Sequence, residues 1–324
     1  QGNAQAVKEE HLPWVIPTDV DFKPTGESPL RGSKELKERV EKLYGAGWTP
    51  EYDTIDTFGD SSWYYLRYTD PRNEGEFAHK EHLKKWMPID FYMIGPEHIV
   101  LHLLYSRFLT KFLRDEGYIS IDEPFSYMRH QGMILGPDNR KMSKSKGNVI
   151  NPDIVVNEYG ADTLRMYEMF MGPIEADKPW NETSVGGVYR FLLRIWKKYQ
   201  ADYTEEYTGE ENKEVVITLN KTIDKVTRDI ESLKFNTAIA AMMTFINEWE
   251  PQPNALSKNN AKKFLKALSP FAPFITEEIW HTLFEEKMSI HLTEWPMVDS
   301  QALKDSTITI PVQVNGKMRG TVEI

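Results

Sequence analysis

The spacing of apolar and polar positions predicts alternating strands and helices up to about residue 184. Short apolar runs at residues 89–94 and 125–135 predict two strands. Between them, apolar side chains recur over residues 97–115 at the spacing of one helix face. Because strands that alternate with helices form parallel sheets, we predict an α/β fold for this region.

The apolar pattern changes near residue 185 and predicts an all-helical region that extends to residue 296. Amphipathic helical periodicity is found in five segments: residues 188–199, 217–233, 237–249, 261–268 and 275–286. Residues 212–214 and 251–259 are predicted loops, and Thr276, which two glutamates follow, predicts a helix start. The predicted fold class is therefore α/β followed by an all-α bundle.

The two ends of the chain differ in pattern from the regions between them. Residues 1–50 are rich in proline and glycine and contain one charged helical stretch at 33–43, which predicts an irregular connecting segment. Residues 307–314 predict a strand, and Asn315-Gly316 is a strong signal for a two-residue hairpin turn. The predicted organisation is a connecting segment (1–50), an α/β domain (51–184), a helical bundle (185–296) and the start of a truncated further domain (297–324).

Composition narrows the classes of function that this fold can serve. No run approaches the roughly 18 uncharged apolar residues that a membrane span needs, so we expect a soluble, cytoplasmic protein. The 324 residues include no cysteine, which excludes disulfides and thiolate zinc ligands and leaves only histidine and carboxylate ligands for a metal. The net charge of −10 argues against a general binder of polyanions, so any RNA contact must use local basic patches.

A lysine-rich loop is the strongest candidate for chemistry. Arg140, Lys141, Lys144 and Lys146 place four cations within seven residues, interleaved with serines. When a carboxylate attacks the α-phosphate of ATP, negative charge builds on the leaving pyrophosphate. Lysines and hydroxyls in a flexible loop can stabilise that charge. The alternatives are a solvated basic surface loop and a nucleotide-binding P-loop, but the chain lacks the G-x-x-x-x-G-K-[ST] sequence that a P-loop needs.

The sequence around this loop resembles the second signature of class I aminoacyl-tRNA synthetases. The matching residues are Lys-Met-Ser-Lys-Ser-Lys-Gly-Asn at 141–148, Asn-Pro-Asp at 151–153 and Tyr-Gly-Ala-Asp-Thr-Leu-Arg at 159–165. The resemblance implies that residues 51–184 are the C-terminal half of a Rossmann-like catalytic domain. It also implies that Lys141, Lys144 and Ser145 are catalytic and bind ATP together with Met142 and Ser143.

Two aromatic stretches resemble the leucyl-tRNA synthetases within that class. They are residues 53–68 and 90–108. The resemblance implies an ATP site in which Glu97 binds the ribose hydroxyls, Gln131 lies beside the adenine, and Gly95 and His98 also contribute. Pro96 departs from the family, which commonly has a second glycine there, so close approach of the backbone to adenosine stays open at this position.

The same resemblance places a leucine pocket on these aromatic stretches. A branched apolar amino acid needs a dry wall, and the side chains implied for it are Phe58, Ser61, Tyr64, Tyr92 and His102. His102 has an alternative interpretation as a hydrogen-bonded histidine of the core. We expect no metal on His98 and His102, because the zinc motif requires glutamate directly after the first histidine and this chain has Ile99.

The helical region resembles the anticodon-binding bundle that follows the catalytic domain in these enzymes. The resemblance rests on residues 235–241 and 270–280. Their aromatic side chains are predicted to lie in the core rather than to stack on RNA: Phe235, Phe271, Phe274 and Trp280. Cations that either contact the tRNA backbone or belong to solvated faces are Lys197, Lys198, Lys221, Lys225 and Arg228.

The implied activity is ATP-dependent activation of leucine and its transfer to tRNA(Leu) through leucyl-adenylate. ATP enters as a substrate with its Mg²⁺, and no protein-bound zinc is expected because residues 33–48 replace a zinc module with a metal-free segment. The implied partners are leucine, ATP, tRNA(Leu) and the N-terminal half of the enzyme, from the same gene or a separate subunit, in a monomer that does not bind membranes.

The sequence also lacks parts that such an enzyme uses. None of the eight histidines stands in an H-x-G-H sequence, and no editing domain is present, so we expect half an active site that is inactive alone. Two alternatives remain for the function. One is a valine, isoleucine or methionine enzyme of the same class, and the other is a non-catalytic RNA-binding protein derived from a synthetase.

Overall fold

Two units make up the computed structural model, which describes residues 4–21, 23, 26–54, 58–207, 209–299, 303, 309–314 and 317–323. The first unit consists of Gln1–Tyr92 and His98–Tyr127. The second consists of Met93–Glu97 and Met128–Ile324. Among the described residues, no helix combines the length and apolar character that crossing a membrane requires.

The first unit is mainly helical. Its helices are α1 (Lys34–Tyr44), α2 (Phe58–Ser61), α3 (Tyr64–Tyr68), α4 (Lys80–Trp86) and α5 (Leu101–Asp115), with 3₁₀ turns at Glu9–His11 and Pro29–Gly32. α1 confirms the helix expected at 33–43, and the Ser33 hydroxyl caps it by accepting a hydrogen bond from the Leu36 backbone N–H at 2.9 Å. Leu66, Leu83 and Met87 belong to the buried cluster that holds this unit together.

The predicted α5 helix begins later than its apolar pattern suggested. A 3₁₀ turn occupies Pro96–His98, and α5 starts only at Leu101. Its first turn has no side-chain cap, because Val100 stands at the cap position and its side chain has no oxygen that could accept from the free N–H groups. The helix predicted over residues 97–115 is therefore confirmed, but it begins four residues later, at Leu101.

Both predicted strands exist, but each is shorter than its apolar run. β1 (Tyr92–Ile94) forms a two-stranded sheet with β2 (Met128–His130), and β3 (Ile134–Leu135) pairs in parallel with β4 (Lys178–Pro179). The predicted strand at 125–135 breaks at Gly132, whose N–H donates to the Ile174 carbonyl at 2.8 Å. A Cβ at Gly132 would overlap the Ala176 backbone, so the close approach that divides β2 from β3 requires glycine.

The all-helical prediction for the later region is confirmed. The second unit contains α6 (Pro152–Tyr159), α7 (Ala161–Phe170), α8 (Glu182–Tyr203), α9 (Lys213–Glu231), α10 (Phe235–Trp249), α11 (Lys258–Leu268) and α12 (Pro273–Thr282), with 3₁₀ turns at Lys144–Lys146 and Ile290–Leu292. One buried cluster runs through these helices, and its fully buried members include Ile195, Leu219, Ile223, Phe245 and Phe264.

Several helices begin earlier than predicted, because side-chain caps lie upstream of the apolar pattern. Asn181 accepts from the Ser184 N–H at 3.0 Å and starts α8, and Asn212 accepts from the Glu214 N–H at 2.9 Å and starts α9. The predicted loop at 212–214 is therefore wrong, since only its first residue lies outside the helix. Asparagine before a helix satisfies N–H groups that have no partner in the first turn.

The predicted start of a helix at Thr276 is also wrong. α12 begins at Pro273, and the buried Thr276 hydroxyl donates to the Ala272 carbonyl at 2.8 Å. The cap comes from a distant residue: the Asp162 carboxylate accepts the Phe274 N–H at 3.2 Å and the Ile275 N–H at 2.7 Å. Phe274 itself is 66% exposed, so its predicted place in the core is wrong.

The end of the chain contains β5 (Thr309–Val314) and β6 (Lys317–Glu323), which pair antiparallel. The predicted strand at 307–314 is thus confirmed over residues 309–314. The predicted turn at Asn315-Gly316 and the first two residues of that strand lie outside the described residues.

Candidate functional site

The first unit brings together all five side chains expected to form the apolar pocket. Phe58 and Ser61 lie on α2, Tyr64 on α3, Tyr92 at the start of β1 and His102 on α5. The Phe58 ring lies 6.5 Å from the His102 ring, measured between centroids. The Tyr92 ring stacks on the His102 ring with 5.9 Å between their centroids. Residues that are far apart in sequence therefore meet around one imidazole.

Hydrogen bonds connect the polar side-chain atoms of this cluster to one another. The Tyr64 and Tyr92 hydroxyls are 3.0 Å apart, and the Tyr92 hydroxyl lies 2.8 Å from His102 Nε2. On the other side of the ring, Ser61 Oγ lies 3.5 Å from His102 Nδ1. Both nitrogens of His102 thus have partners, which fixes the orientation of the imidazole.

Burial keeps this cluster uncharged. Loss of solvent, and secondarily the nearby His98, lower the pKa of His102, which is only 4% exposed. Loss of solvent, followed by the hydrogen bond between the Tyr64 and Tyr92 hydroxyls, raises the pKa of Tyr92 well above its usual value. At neutral pH the imidazole and the phenol are both neutral, so the cluster can present a dry, aromatic surface to an apolar side chain.

His98 lies beside this cluster in the first unit. Its ring centroid is 6.0 Å from the Phe58 ring and 6.0 Å from the His102 ring. The other side chains expected around ATP lie in the second unit. Among the described residues, no group of three or more histidine, aspartate or glutamate side chains is placed to hold a metal ion.

A cavity of about 520 Å³ in the second unit collects three of the expected ATP residues. Gly95 and Glu97 line it from the turn after β1, and Gln131 lines it from the end of β2. The Gln131 N–H donates to the Ile94 carbonyl at 3.3 Å, which ties these two segments together. Expectations based on local motifs therefore converge on one concave surface.

The same cavity is lined by two charged residues that the sequence analysis missed. Glu168 on α7 and Lys178 on β4 both face it. Partial loss of solvent raises the pKa of the exposed Glu168 and lowers that of the partly buried Lys178. No local motif marks Lys178, because it reaches the cavity only through the pairing of β4 with β3.

The lysine-rich loop lies in the second unit with this cavity. Lys141 Nζ forms an ion pair with the Glu97 carboxylate, and both side chains are more than half exposed. Residues Lys144–Lys146 form a 3₁₀ turn that ends at Gly147, whose φ of 66° favours glycine. The Ser143 and Ser145 hydroxyls are 2.8 Å apart, and Met142 packs against the buried cluster below.

Asn148 fastens the two ends of this loop, a role that the sequence did not assign to it individually. Its Oδ1 accepts the Ser143 N–H at 2.9 Å. Its Nδ2 donates to Asp138 Oδ1 at 3.1 Å and to the Lys141 carbonyl at 3.3 Å. The hydrogen bond from Asn148 lowers the pKa of Asp138, which stays ionised and keeps the contact charge-assisted.

The sequence matches two known families. Residues 27–181 match the family of class I tRNA synthetases for I, L, M and V. Residues 212–324 match the anticodon-binding domain of tRNA ligases. The α/β region and the helical region thus each have a family counterpart, in the order predicted from their apolar patterns.

Individual relatives carry the name leucine–tRNA ligase. The chain is 47% identical to those of Leptospira biflexa serovar Patoc and Alkaliphilus oremlandii, and 45% identical to that of Fervidobacterium nodosum, over 98% of its own length in each case. It spans only 37%, 39% and 41% of these relatives, respectively. A solved structure of an Agrobacterium radiobacter K84 LeuRS in a ternary complex with tRNA and LeuAMS is also similar. Its TM-score is 0.78 at 34% identity, covering 98% of this chain and 42% of that one.

Proposed function

The chain belongs to the leucyl-tRNA synthetase family of class I aminoacyl-tRNA synthetases, and we propose that it supplies part of an enzyme that activates leucine and transfers it to tRNA(Leu). In this proposal the second unit provides the lysine-loop side of the ATP site. The first unit provides the wall of the leucine pocket. Because the chain spans about two fifths of its relatives, the rest of the active site comes from sequence outside it.

The observation that carries the ATP proposal is the contact between Lys141 and Glu97 beside a cavity that Gln131 also lines. An exposed ion pair of this kind is worth only about 0–1 kcal/mol, so ATP can replace it at little cost. The Glu97 carboxylate then accepts hydrogen bonds from the ribose hydroxyls, and the Lys141 ammonium binds the phosphates. ATP brings its Mg²⁺ with it, since Mg²⁺ binds largely through phosphate oxygens and water.

The other members of the lysine loop act on the phosphates in the same proposal. Lys144 and Ser145 lie exposed in the 3₁₀ turn after Lys141, and Met142 anchors the turn to the buried cluster. When leucine attacks the α-phosphate, charge builds on the departing pyrophosphate. Preorganised cations and hydroxyls stabilise that charge and lower the barrier.

Leucine lies, in this proposal, against Phe58, Tyr64 and Tyr92, with His102 as the fixed polar base of the pocket. The neutral hydrogen-bonded cluster favours an apolar side chain, because it contains no charge that needs water. A valine, isoleucine or methionine enzyme is the alternative of the same class. The 45–47% identity to leucine–tRNA ligases favours leucine.

The tRNA contacts belong to the helical region, but not to all the cations expected there. Lys197 and Lys221 are exposed and remain candidates. Lys198 is buried with Asp202, which rules it out as a surface contact. Lys225 and Arg228 already form ion pairs along α9, so they offer less charge to a phosphate.

The same proposal includes the organisation of the chain into domains and the state of the complete enzyme. The domain boundaries fall after residues 50, 184 and 296, and the gap between the two family matches, residues 182–211, is consistent with the middle one. The complete enzyme is a cytoplasmic monomer without bound zinc. The polypeptide that completes the ATP site carries the H-x-G-H sequence, on the same gene or on a separate subunit.

The test is leucine-dependent exchange of pyrophosphate into ATP. We expect no exchange from this chain alone, and exchange when it is combined with the part of the Leptospira biflexa ligase that it does not cover. Lys141→Ala should then lower kcat by about 100-fold or more, as expected for loss of one transition-state cation. Lys258→Ala, at an exposed lysine in the first turn of α11, is the control and should change kcat less than about threefold.

Three results would contradict this proposal. Exchange at a normal rate by the chain alone would show that the missing part is not needed. Full activity of Lys141→Ala would remove the lysine from the mechanism. Faster exchange with valine, isoleucine or methionine than with leucine would overturn the choice of amino acid.

A further inference from the structure

Lys178 lines the cavity of about 520 Å³ in the second unit, but neither ATP nor leucine uses it in the proposed function. Among the residues that the structure describes, none forms a hydrogen bond or an ion pair with its ammonium. Glu168 lines the same cavity and also forms no ion pair with it. By contrast, an acidic partner in the same unit holds each of three other lysines: Lys141, Lys198 and Lys262.

The backbone and the stem of Lys178 are both held in place. Its N–H donates to the Met133 carbonyl at 2.9 Å, and the pairing of β4 with β3 sets it opposite Ile134. The stem runs past Gly172, where a Cβ would lie 3.7 Å from Lys178 Cε. The ammonium, partly buried in this position, loses part of its water, which lowers the pKa of Lys178. A cation that loses water without gaining a partner is in the state expected of a group that binds an anionic ligand.

Lys178 and Lys141 lie on opposite edges of β3. Lys178 pairs with Ile134 across one edge. Across the other edge, Lys141 forms an antiparallel bridge with Leu135. Because neighbouring strands are about 4.8 Å apart, roughly 10 Å separates the two lysine backbones. The Lys141 ammonium contacts Glu97, where the proposed function places the ribose and phosphates of ATP. Lys178 therefore stands where a second phosphate group can bind.

The cavity around Lys178 has the chemistry of a site for single-stranded RNA. Met169, Leu233 and Phe235 line it as well and give it apolar walls. Proteins bind single strands with a cation for the backbone and with apolar or aromatic side chains for the bases. Transfer of leucine requires the terminal ribose of the tRNA beside the adenylate. The unpaired 3′ end of the tRNA must therefore reach this cavity, and its phosphates come with it.

We propose that Lys178 binds a backbone phosphate at the unpaired 3′ end of the tRNA and so helps to bring the terminal ribose to the adenylate. The proposal rests on the proposed function, which brings ATP and tRNA to this chain. Lys178 then acts in the second step, the transfer to tRNA. It takes no part in the first step, in which leucine attacks ATP, so the two steps distinguish Lys178 from Lys141.

The test measures tRNA binding by this chain combined with the part of the Leptospira biflexa ligase that it does not cover. Lys178→Met removes the charge but keeps an unbranched stem beside Gly172. With intact tRNA(Leu), we expect Kd to rise by about fivefold or more, and the slope of log Kd against log salt concentration to fall by about 0.7, which corresponds to one single-strand phosphate. With tRNA(Leu) that lacks its unpaired 3′ end, the wild type and the variant should bind equally.

The kinetics of the two steps give a second measurement. In pyrophosphate exchange, Lys178→Met should keep kcat and the KM for ATP within about twofold of the wild type, because the first step needs no tRNA. In leucylation, its KM for tRNA should rise by about fivefold or more. Lys178→Arg should restore most of this loss, since a guanidinium also binds phosphate.

The matched control is Lys258→Met, at an exposed lysine in the first turn of α11. It makes the same change of charge and should leave Kd and both KM values unchanged. The melting temperature of Lys178→Met should equal or exceed that of the wild type, because the variant removes a cation that burial penalises. A lysine with a structural role would instead lower it.

Four results would overturn the proposal. Equal Kd values of Lys178→Met and the wild type for intact tRNA(Leu) would remove the contact. An equal loss of affinity for intact and shortened tRNA would place the contact away from the 3′ end. A higher KM for ATP in exchange would assign Lys178 to a phosphate of ATP. A lower melting temperature of Lys178→Met would assign the lysine to the stability of the second unit.

The two proposals fail in different ways. A wild-type combination that binds tRNA but shows no leucine-dependent exchange contradicts the proposed function. The comparison of intact and shortened tRNA needs no catalysis, so it still decides whether Lys178 contacts the 3′ end. A wild-type combination that binds no tRNA overturns the contact of Lys178 even where exchange is normal.

Discussion

At the scale of single residues, Asn148 determines how well the lysine loop keeps its shape. Its side chain accepts from the Ser143 N–H and donates to the Asp138 carboxylate and the Lys141 carbonyl. Each of these hydrogen bonds is worth about 1 kcal/mol net. We predict that Asn148→Ala frees the loop, so that trypsin cuts after Lys141, Lys144 and Lys146 at least about tenfold faster. Digestion followed by mass spectrometry measures these rates without any need for enzyme activity.

The control for Asn148 is Val149→Ala, because Val149 is the next residue in the same segment and its side chain is exposed. It should leave the cleavage rates unchanged. Equal rates in Asn148→Ala and the wild type would contradict the assigned role. Sequence motifs could single out Lys141 and Glu97 as candidates, because the residues that form each motif are adjacent in the chain. Lys178 was not, because only the pairing of β4 with β3 brings it to the cavity.

At the scale of the secondary-structure elements, the start of α12 depends on Asp162 of α7. Burial raises the pKa of Asp162, because the charged carboxylate loses its contact with water. Hydrogen bonds from the Phe274 and Ile275 N–H groups offset only part of this desolvation penalty. We therefore predict that Asp162→Ala destabilises the second unit by about 1–2 kcal/mol, the usual cost of a lost cap. Asp162→Asn should cost less, since it keeps an acceptor and removes the buried charge. Urea unfolding measures both.

A larger loss of unfolding free energy in Asp162→Asn than in Asp162→Ala would contradict this account of Asp162.

The positions at which helices begin and the way they are rotated could not be predicted from apolar periodicity. Asn181 and Asn212 start helices upstream of the apolar periodicity, and Asp162 acts from a distant part of the chain. The periodicity of α5 predicted a helix correctly but not its rotation, which its polar contacts to Tyr65 determine.

At the scale of the whole molecule, the two units have separate buried clusters, one around Leu66 and one around Ile195. Such separate cores predict two unfolding transitions that mutations can move one at a time. The division into an α/β part and a helical part was predictable, because a change from mixed to helical periodicity is spread over many residues. The extent of each unit was not, because residues 93–97 pack with the second unit while both flanking segments pack with the first.

Lys198 offers the sharpest test of these separate cores. Its ammonium lies 2.9 Å from Asp202 Oδ2 and donates to the Gln252 carbonyl at 2.8 Å, and both ionic side chains are at most 4% exposed. Lys198→Met leaves the Asp202 charge buried without its partner, which costs about 3–5 kcal/mol. We predict that this variant lowers the transition of the second unit alone, as followed by urea unfolding with calorimetry. Lys197→Met, at the exposed neighbouring position, should change neither transition. A parallel shift of both transitions in Lys198→Met would mean that the two units unfold as one.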